Sequence, residues 1–505
     1  MRQAARPLRP KVPDPAGRAS AGAPRFVLLA AIAGGLGACT LGPDYHKPAI
    51  EVPPAWKTEE PWRVGTPDDA ARRGAWWEVF ADPGLDGLQM QAIAHNPSLD
   101  MAVERLAQAR AIVTVTGAAL FPRLDANLAA TRNKTSADRP LALYNFANGS
   151  VVQNDLVAGF SVHYEADLFG GIRRQTEAAR ASEQQSQADL ENARLVLTAE
   201  VAADYFDLRA LDAEIDVVRQ NIAAQRRALE FVSSRHDMGV ASGLDLAQAQ
   251  AQLDSTITQI DLLRVQRAQF EHALASLVGT PAPSFAIAPA VVKFSVPDIP
   301  VGVPSDVLER RPDVASAERA MAAANAQIGV AKAAYFPSVP LEAVYGVESN
   351  KVATLFSAAS NLWSLGIAAT QTLFDAGRRS ANIDFAQAGY RATVASYRQA
   401  VLTAMQEAED GMSGSANLAR AASEANAAVH SAQRVVDLAN DRYAGGLATY
   451  LDVVTAEQAL LANQRLQVQI NGQQMLVAVY LVKALGGGWQ STDAPIAAAG
   501  STAAR

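Results

Sequence analysis

One cysteine, Cys39, stands among 505 residues, and without a second thiol no intramolecular disulfide can form. Aromatic residues reach only 6% against a hydrophobic total of 49%. The apolar content is therefore aliphatic and rich in alanine, which suits close helix packing in thin layers better than a bulky globular interior. The six histidines (His46, His95, His163, His236, His272 and His430) are scattered, and the eight methionines show no chelating pattern. With no His-Glu-x-x-His, no Cys-His pair and no phosphate loop, the chain offers no enzyme motif; no catalytic residue, metal ligand or cofactor is expected. After Cys39 no apolar run reaches 18 residues, which excludes a membrane-spanning helix.

The N-terminus carries an export signal. Arg2, Arg6, Arg9, Lys11, Arg18 and Arg25 precede an apolar run from Phe26 to Leu36 that is too short to span a bilayer. Leu36-Gly37-Ala38-Cys39 reads as a bacterial lipobox. Cleavage before Cys39 and attachment of a diacylglycerol and an N-acyl chain would anchor the protein stably, since each buried methylene contributes about 0.8 kcal/mol. Losing residues 1–38 removes six basic groups and one acid, taking the net charge from −7 to −12. An acidic chain without a basic stripe is a poor nucleic-acid ligand, so no nucleic acid is expected among its partners.

The sequence repeats itself at long range. Ala118-Ala119-Leu120-Phe121-Pro122 returns as Ala333-Ala334-Tyr335-Phe336-Pro337, and Leu168-Phe169-Gly170-Gly171-Ile172-Arg173-Arg174 as Leu373-Phe374-Asp375-Ala376-Gly377-Arg378-Arg379. A third echo sets Arg235, Gly239, Ser242, Leu244, Asp245 and Leu253 against Arg442, Gly446, Thr449, Leu451, Asp452 and Leu460. Two long tandem units, each mixing element types, indicate one object built from two similar halves.

Period-2 alternation predicts four strands, two per half. Phe160, Val162, Tyr164, Ala166 and Leu168 alternate with Ser161, His163, Glu165 and Asp167; Leu124, Ala126, Leu128 and Ala130 alternate with Asp125, Asn127, Ala129 and Thr131. In the second half Leu341, Ala343, Tyr345 and Val347 stand against Glu342 and Glu348, and Leu365, Ile367 and Ala369 against Ser364, Gly366 and Thr370. A half-buried soluble sheet gives this alternation, and so does a barrel with lipid outside and a wet lumen.

Helical spacing fills the remainder. Leu85 to Ala109 is punctuated by Asn96-Pro97, and Gln175 to about Arg235 contains no proline. A stripe from Leu246 to Leu277 follows a glycine-marked turn, and the second half repeats both from Ser380 to Arg442 and from Leu451 to Leu485. Helices of roughly 55 to 60 residues would be about 80 to 90 Å long, which fits a coiled-coil hairpin. The boundaries read as a signal over 1–38, a proline-rich extended arm over 39–75, a first repeat over 76–280, a linker over 281–304, a second repeat over 305–488, and a small, polar, disordered tail over 489–505.

At Val303-Pro304-Ser305-Asp306-Val307-Leu308-Glu309-Arg310-Arg311-Pro312-Asp313-Val314, with Ala317-Glu318 and Ala323 to Gly329, the chain resembles the outer-membrane factors of tripartite efflux pumps. It is similar in particular to the lipoprotein (NodT-like) branch of the TolC/OprM superfamily. Gly42-Pro43-Asp44-Tyr45, Trp76-Trp77 with Phe80 and Asp82-Pro83, both Phe-Pro motifs and the closing Ala484 to Trp489 carry the likeness over nearly the whole mature chain. The resemblance implies a mainly α protein with membrane β structure: a homotrimer whose four strands per chain make one 12-stranded barrel, continued by a periplasmic α-barrel of long helical hairpins. It also implies a passive outer-membrane exit duct fed by an inner-membrane RND-type transporter through a periplasmic adaptor, for drugs, toxic organics or metal ions. Thr40 after Cys39, as in enterobacterial lipoproteins, favours the outer membrane.

By the same resemblance the idle duct closes just after the helix-helix turns, at Leu451 and Asp452 and their counterparts Leu244 and Asp245. An acidic residue there reads equally well as a helix N-terminal residue stabilised by the dipole. Thr455 stands where relatives place another acid. Arg235, Gly239, Arg442 and Gly446 shape the tips and offer them to the adaptor; Phe121-Pro122 and Phe336-Pro337 end helices at helix-to-strand junctions. Two alternatives are a lipid-anchored coiled-coil adaptor or scaffold, against which the twice-repeated strand pairs argue, and the exit duct of a type I secretion system.

Overall fold

A computed structural model describes residues 40–48, 56–57, 74–137, 150–297, 299 and 310–487. Cys39, the signal, most of the arm, the end of the linker, residues 303–309 of the family motif and the tail lie outside the described residues.

A short 3-10 turn, Trp76–Phe80, leads into α1 (Pro83–His95) and α2 (Pro97–Ala118). Asp82 starts α1: its Oδ1 accepts from the Gly84 and Leu85 amides at 2.8 and 3.3 Å, with proline at the first helical position where no amide hydrogen is needed. The buried Tyr205 hydroxyl donates to the same carboxylate at 2.9 Å, and Trp76 Nε1 donates to Thr198 Oγ1 at 3.0 Å. Asn96 repeats the device before Pro97, accepting from the Ser98 and Leu99 amides at 2.9 and 3.1 Å.

Strands β1 (Arg123–Lys134) and β2 (Val152–Glu165) follow, then the long hairpin of α3 (Gly171–Asp237) and α4 (Gly243–Leu277). The second half supplies α5 (Pro312–Ala333), β3 (Pro340–Ser349), β4 (Asn361–Ile367), α6 (Arg378–Ala444) and α7 (Tyr450–Ala484). α3 and α6 each have 67 residues, about 100 Å of helix and longer than the periodicity indicated. None of the described helices is long and apolar enough to cross a membrane.

The four strands form one antiparallel sheet in the order β1-β2-β3-β4. Two strand bounds differ from the alternation. β2 begins at Val152 and stops at Glu165, so Ala166 to Leu168 are not strand; Ala166 N still bonds Val339 O at 3.0 Å as the chain turns toward α3. β4 stops at Ile367, and Thr370 pairs only with Ser338 in an isolated bridge.

By its contacts the chain divides into two units, each drawn from both halves of the sequence. Among the described residues, one holds those within 40–43, 116–175 and 328–383, with all four strands; the other holds those within 44–115, 176–327 and 384–487. The tandem repeats are thus not two separate bodies. In the helical unit Leu211, Ile215, Val218 and Ile222 of α3 pack with Leu253, Ile260 and Leu263 of α4 and Leu461 of α7. Arg311, buried at the start of α5, donates to Asp313 at 2.7 Å, to Glu407 of α6 at 2.6 Å and to the Ala484 carbonyl closing α7 at 3.2 Å.

The linker is held by charge. Asp212 of α3 accepts from Arg209 at 3.0 Å, from Arg267 of α4 at 2.6 Å and from the Ala290 amide at 3.1 Å. The two guanidiniums also bond the Ala288 and Ile287 carbonyls at 2.9 and 2.6 Å. No spacing rule announces this cluster, because its members come together only when the hairpin closes.

Candidate functional site

In an antiparallel sheet directly paired residues share a face, so the register sorts the side chains. Ala126, Phe160, Tyr345 and Trp363 form one row across the four strands, and Leu124, Val162, Ala343 and Leu365 the next. The opposite face carries Arg123, His163, Glu342 and Gly366, then Asp125, Ser161, Val344 and Ser364. The alternation read along single strands therefore holds across the whole sheet.

The polar face is knitted by side chains. Arg123 donates to Asp125 at 2.9 Å, Asn127 to Ser161 at 2.8 Å, and the His163 ring lies 3.9 Å from Asp125 and 3.7 Å from Glu342. The apolar face is left open: Leu128 is 85% exposed and Trp363 74%, with Phe160, Tyr345, Leu365 and Ile367 exposed beside them. A contiguous surface of this kind marks contact with lipid or another protein, since each Å² of apolar surface removed from water is worth about 25 cal/mol. β1 and β4 are the sheet's edges and pair on one side only.

At the helix-to-strand junctions Phe336 stacks on Phe169 with centroids 4.8 Å apart and planes 25° apart. Phe121, its counterpart in the first half, is 71% exposed. Pro122 and Pro337 follow helix ends at Ala118 and Ala333. Thr40 to Gly42 lie against this region. The buried Arg174 Nε donates to the Leu41 carbonyl at 3.1 Å, and Leu41 N bonds Phe169 O at 3.4 Å. Gly42, at φ +102°, passes so near Gly329 that a Cβ on it would come within 2.6 Å of that Cα. The sequence places both glycines in motifs shared with the family but gives no sign that they meet, because Gly42 and Gly329 are distant in the chain.

At the far ends of the hairpins the tips turn through Gly239 and Gly446, at φ +75° and +73°. Asp245 and Asp452 each close a capping box. Ser242 N donates to Asp245 Oδ2 and Asp245 N to Ser242 Oγ, both at 3.2 Å; Thr449 N and Oγ1 both donate to Asp452 Oδ2 at 2.9 Å. The bonds from Thr449, with Arg442 nearby, hold the Asp452 carboxyl below its usual range. The helix-capping role is therefore filled at both sites, while Leu244 and Leu451 beside them remain exposed.

The two tips of one chain also meet. Arg235 Nη1 donates to the Ala444 carbonyl at 3.2 Å, its guanidinium lies 5.3 Å over the Tyr443 ring, and Tyr443 packs edge-on to Tyr450 at 5.2 Å. Burial, then the charge of Asp245, raises the Tyr443 hydroxyl. Arg235 is thus engaged with the second tip of its own chain, whereas the exposed Arg442 bonds Leu447 O in its own turn at 3.5 Å.

Higher on α3, Asp204 and Asp207 are both pushed up to about 6, by burial in each case and for Asp204 also by Glu200 and Asp207. Nothing in the sequence singled out these two acids; their half-buried setting on α3 appears only in the fold.

Comparison with known proteins gives one answer. The outer membrane efflux protein family matches residues 88–280 and 303–487. The chain is 32% identical to the pyoverdine export outer membrane protein OpmQ of Pseudomonas aeruginosa, over 90% of this chain and 95% of that one. It is 30% identical to the toluene efflux pump outer membrane protein TtgF of Pseudomonas putida, over 92% and 97%. Among solved structures it is similar to the outer-membrane channel OprN, with a TM-score of 0.81 and 28% identity over 90% of this chain and all of that one.

Proposed function

The chain belongs to the outer membrane efflux protein family, and from that premise we propose that three copies close one 12-stranded barrel through which cargo leaves the cell. It is the outer-membrane channel component of an efflux system and not an enzyme. The single observation that carries the barrel is the sheet itself: four strands, two edges paired on one side only, one face apolar and exposed, the other charged. Open edges are not tolerated in lipid and the smallest membrane barrels need about eight strands, so one chain is insufficient and copies must pool their sheets. The charged face then lines a wet lumen.

The remaining parts have places in this scheme. Cys39 bears the diacylglycerol and N-acyl chains, and Thr40 to Gly42, seated by Arg174 and Gly329, bring the anchor to the strand-bearing unit. The long hairpins of three copies form the periplasmic α-barrel. Leu244, Asp245, Leu451 and Asp452 narrow its tip; a ring of carboxylates concentrates negative potential, and an apolar ring closes by drying. The capping boxes hold these carboxylates in fixed positions, so capping and narrowing are compatible roles. The periplasmic adaptor docks on the tip turns around Gly239 and Gly446, with Arg442 the accessible arginine, and links the duct to an RND-type inner-membrane transporter. The duct itself is passive, and the cargo class is small molecules: drugs, toxic organics or metal ions.

The full-length chain should be recovered from outer-membrane fractions, after detergent extraction, as a trimer that resists SDS until heated. A monomer that becomes water-soluble once its acyl groups are removed would overturn the duct.

A further inference from the structure

We infer that Phe374 of one copy stacks on Phe121 of the next, repeating between copies the contact that Phe169 and Phe336 make within a chain. This rests on the trimeric duct and goes further by naming the aromatic seam between copies.

The inference starts from the internal repeat. Phe169 follows β2 and Phe336 precedes β3; those strands are neighbours, and the two rings stack at 4.8 Å. The Leu-Phe motif at Leu168-Phe169 recurs at Leu373-Phe374, after β4, and the Phe-Pro motif at Phe336-Pro337 occurs first at Phe121-Pro122, before β1. β4 and β1 are the two edges of the sheet. Each chain therefore holds both members of a second pair, one beside each edge, where they cannot pair with each other as β2 and β3 allow.

Exposure agrees. Leu168 and Phe169 are half-buried, but Leu373 and Phe374, the same motif, are almost wholly exposed, Phe374 at 87%. Two aromatic rings left exposed beside complementary edges fit a partner of the same kind, and another copy of this chain offers each its match. Since each copy presents Phe374 to one neighbour and Phe121 to the other, the contact is head-to-tail and closes as a ring.

Strand register supports the same operation. Carrying the β2–β3 pairs Val162–Ala343 and Phe160–Tyr345 across the repeat sets Ile367 opposite Leu128 and Leu365 opposite Ala130 of the next copy. Apolar residues meet apolar residues, whereas a one-residue slip would turn one strand's charged side toward the other's apolar face.

The test is a thiol cross-link in the full-length, lipidated chain, where Cys39 carries its acyl group and is not free. In F121C/F374C a short bis-methanethiosulfonate reagent should convert the trimer into covalent dimers and trimers on denaturing gels. Neither single variant should give them, and F169C/F336C should link only within a chain and stay at monomer mobility. Phe374→Ala should also lower the temperature at which the SDS-resistant trimer separates. If trimer forms but the double variant yields no covalent trimer and Phe374→Ala leaves its separation temperature unchanged, the seam is overturned and the duct stands. If the chain is monomeric in detergent, both fall.

Discussion

Leucine behaves in opposite ways in the two units of this protein. Leu85 and Leu208 of the helical unit are wholly buried, while Leu128 and Leu365 of the sheet stand in the open. Polar groups are reversed as well: the helical unit buries Asp212 between two arginines, whereas Asp125 and His163 of the sheet are part-exposed on its charged face. The helical unit thus follows the rules of a protein in water. The sheet reverses them, leaving apolar side chains open on one face and charged ones on the other, as the proposed barrel wall between lipid and water would require.

The largest effect should come from breaking the buried charge cluster. Asp212→Ala removes the ion-pair partner of Arg209 and leaves Arg267 paired with Glu271 alone, and removal of one member of a buried pair costs about 3 to 5 kcal/mol. Thermal loss of helical circular dichroism should shift strongly downward; an unchanged melt would mean that the cluster is not what holds the linker. On the charged face of the sheet, Asp125→Asn should by contrast cost less than about 1 kcal/mol, as part-exposed pairs do.

A second test compares two exposed leucines. Leu365→Arg places a charge on the apolar face of the sheet, at a cost of about 2 to 4 kcal/mol if that face meets the bilayer midplane, and should deplete trimer from the outer membrane. Leu262→Arg, on the exposed side of α4, should stay within about 0.5 kcal/mol of the native chain. Equal trimer yields from the two variants would erase the distinction between the faces.

The smallest effect is a pH dependence in α3. Asp204 and Asp207 are raised to about 6, so the folded chain holds their protons more tightly than the unfolded chain does. Their contribution is complete below the ordinary carboxylate value and is lost as pH rises through about 6. D204N/D207N should therefore melt above the native chain at about pH 7.5, and the gap should close toward about pH 4. A gap independent of pH would show that burial does not perturb these acids.

Much of this could be read from residues alone. The alternation around Phe160 gave both faces of β2, although the strand's N-terminal half, from Val152, has weaker contrast and went unmarked. The proline-free stretches gave the hairpins, and the echo at Asp245 and Asp452 located both tips. Sequence left open whether those acids cap helices; the capping boxes answer that, because a cap depends on bond geometry that spacing only permits.

By itself the sequence determined the two repeats, the sorting of side chains onto faces and the positions of the turns, because these follow from backbone periodicity and from proline and glycine stereochemistry within a few residues. Only the tertiary structure decided that Phe169 is covered while Phe374 is bare, that Gly42 meets Gly329, and that Arg235 faces the second tip while Arg442 faces solvent. Repeated motifs such as Leu168-Phe169 and Leu373-Phe374 have similar local preferences. What distinguishes them is which surface the chain's path brings alongside, and no local pattern records that.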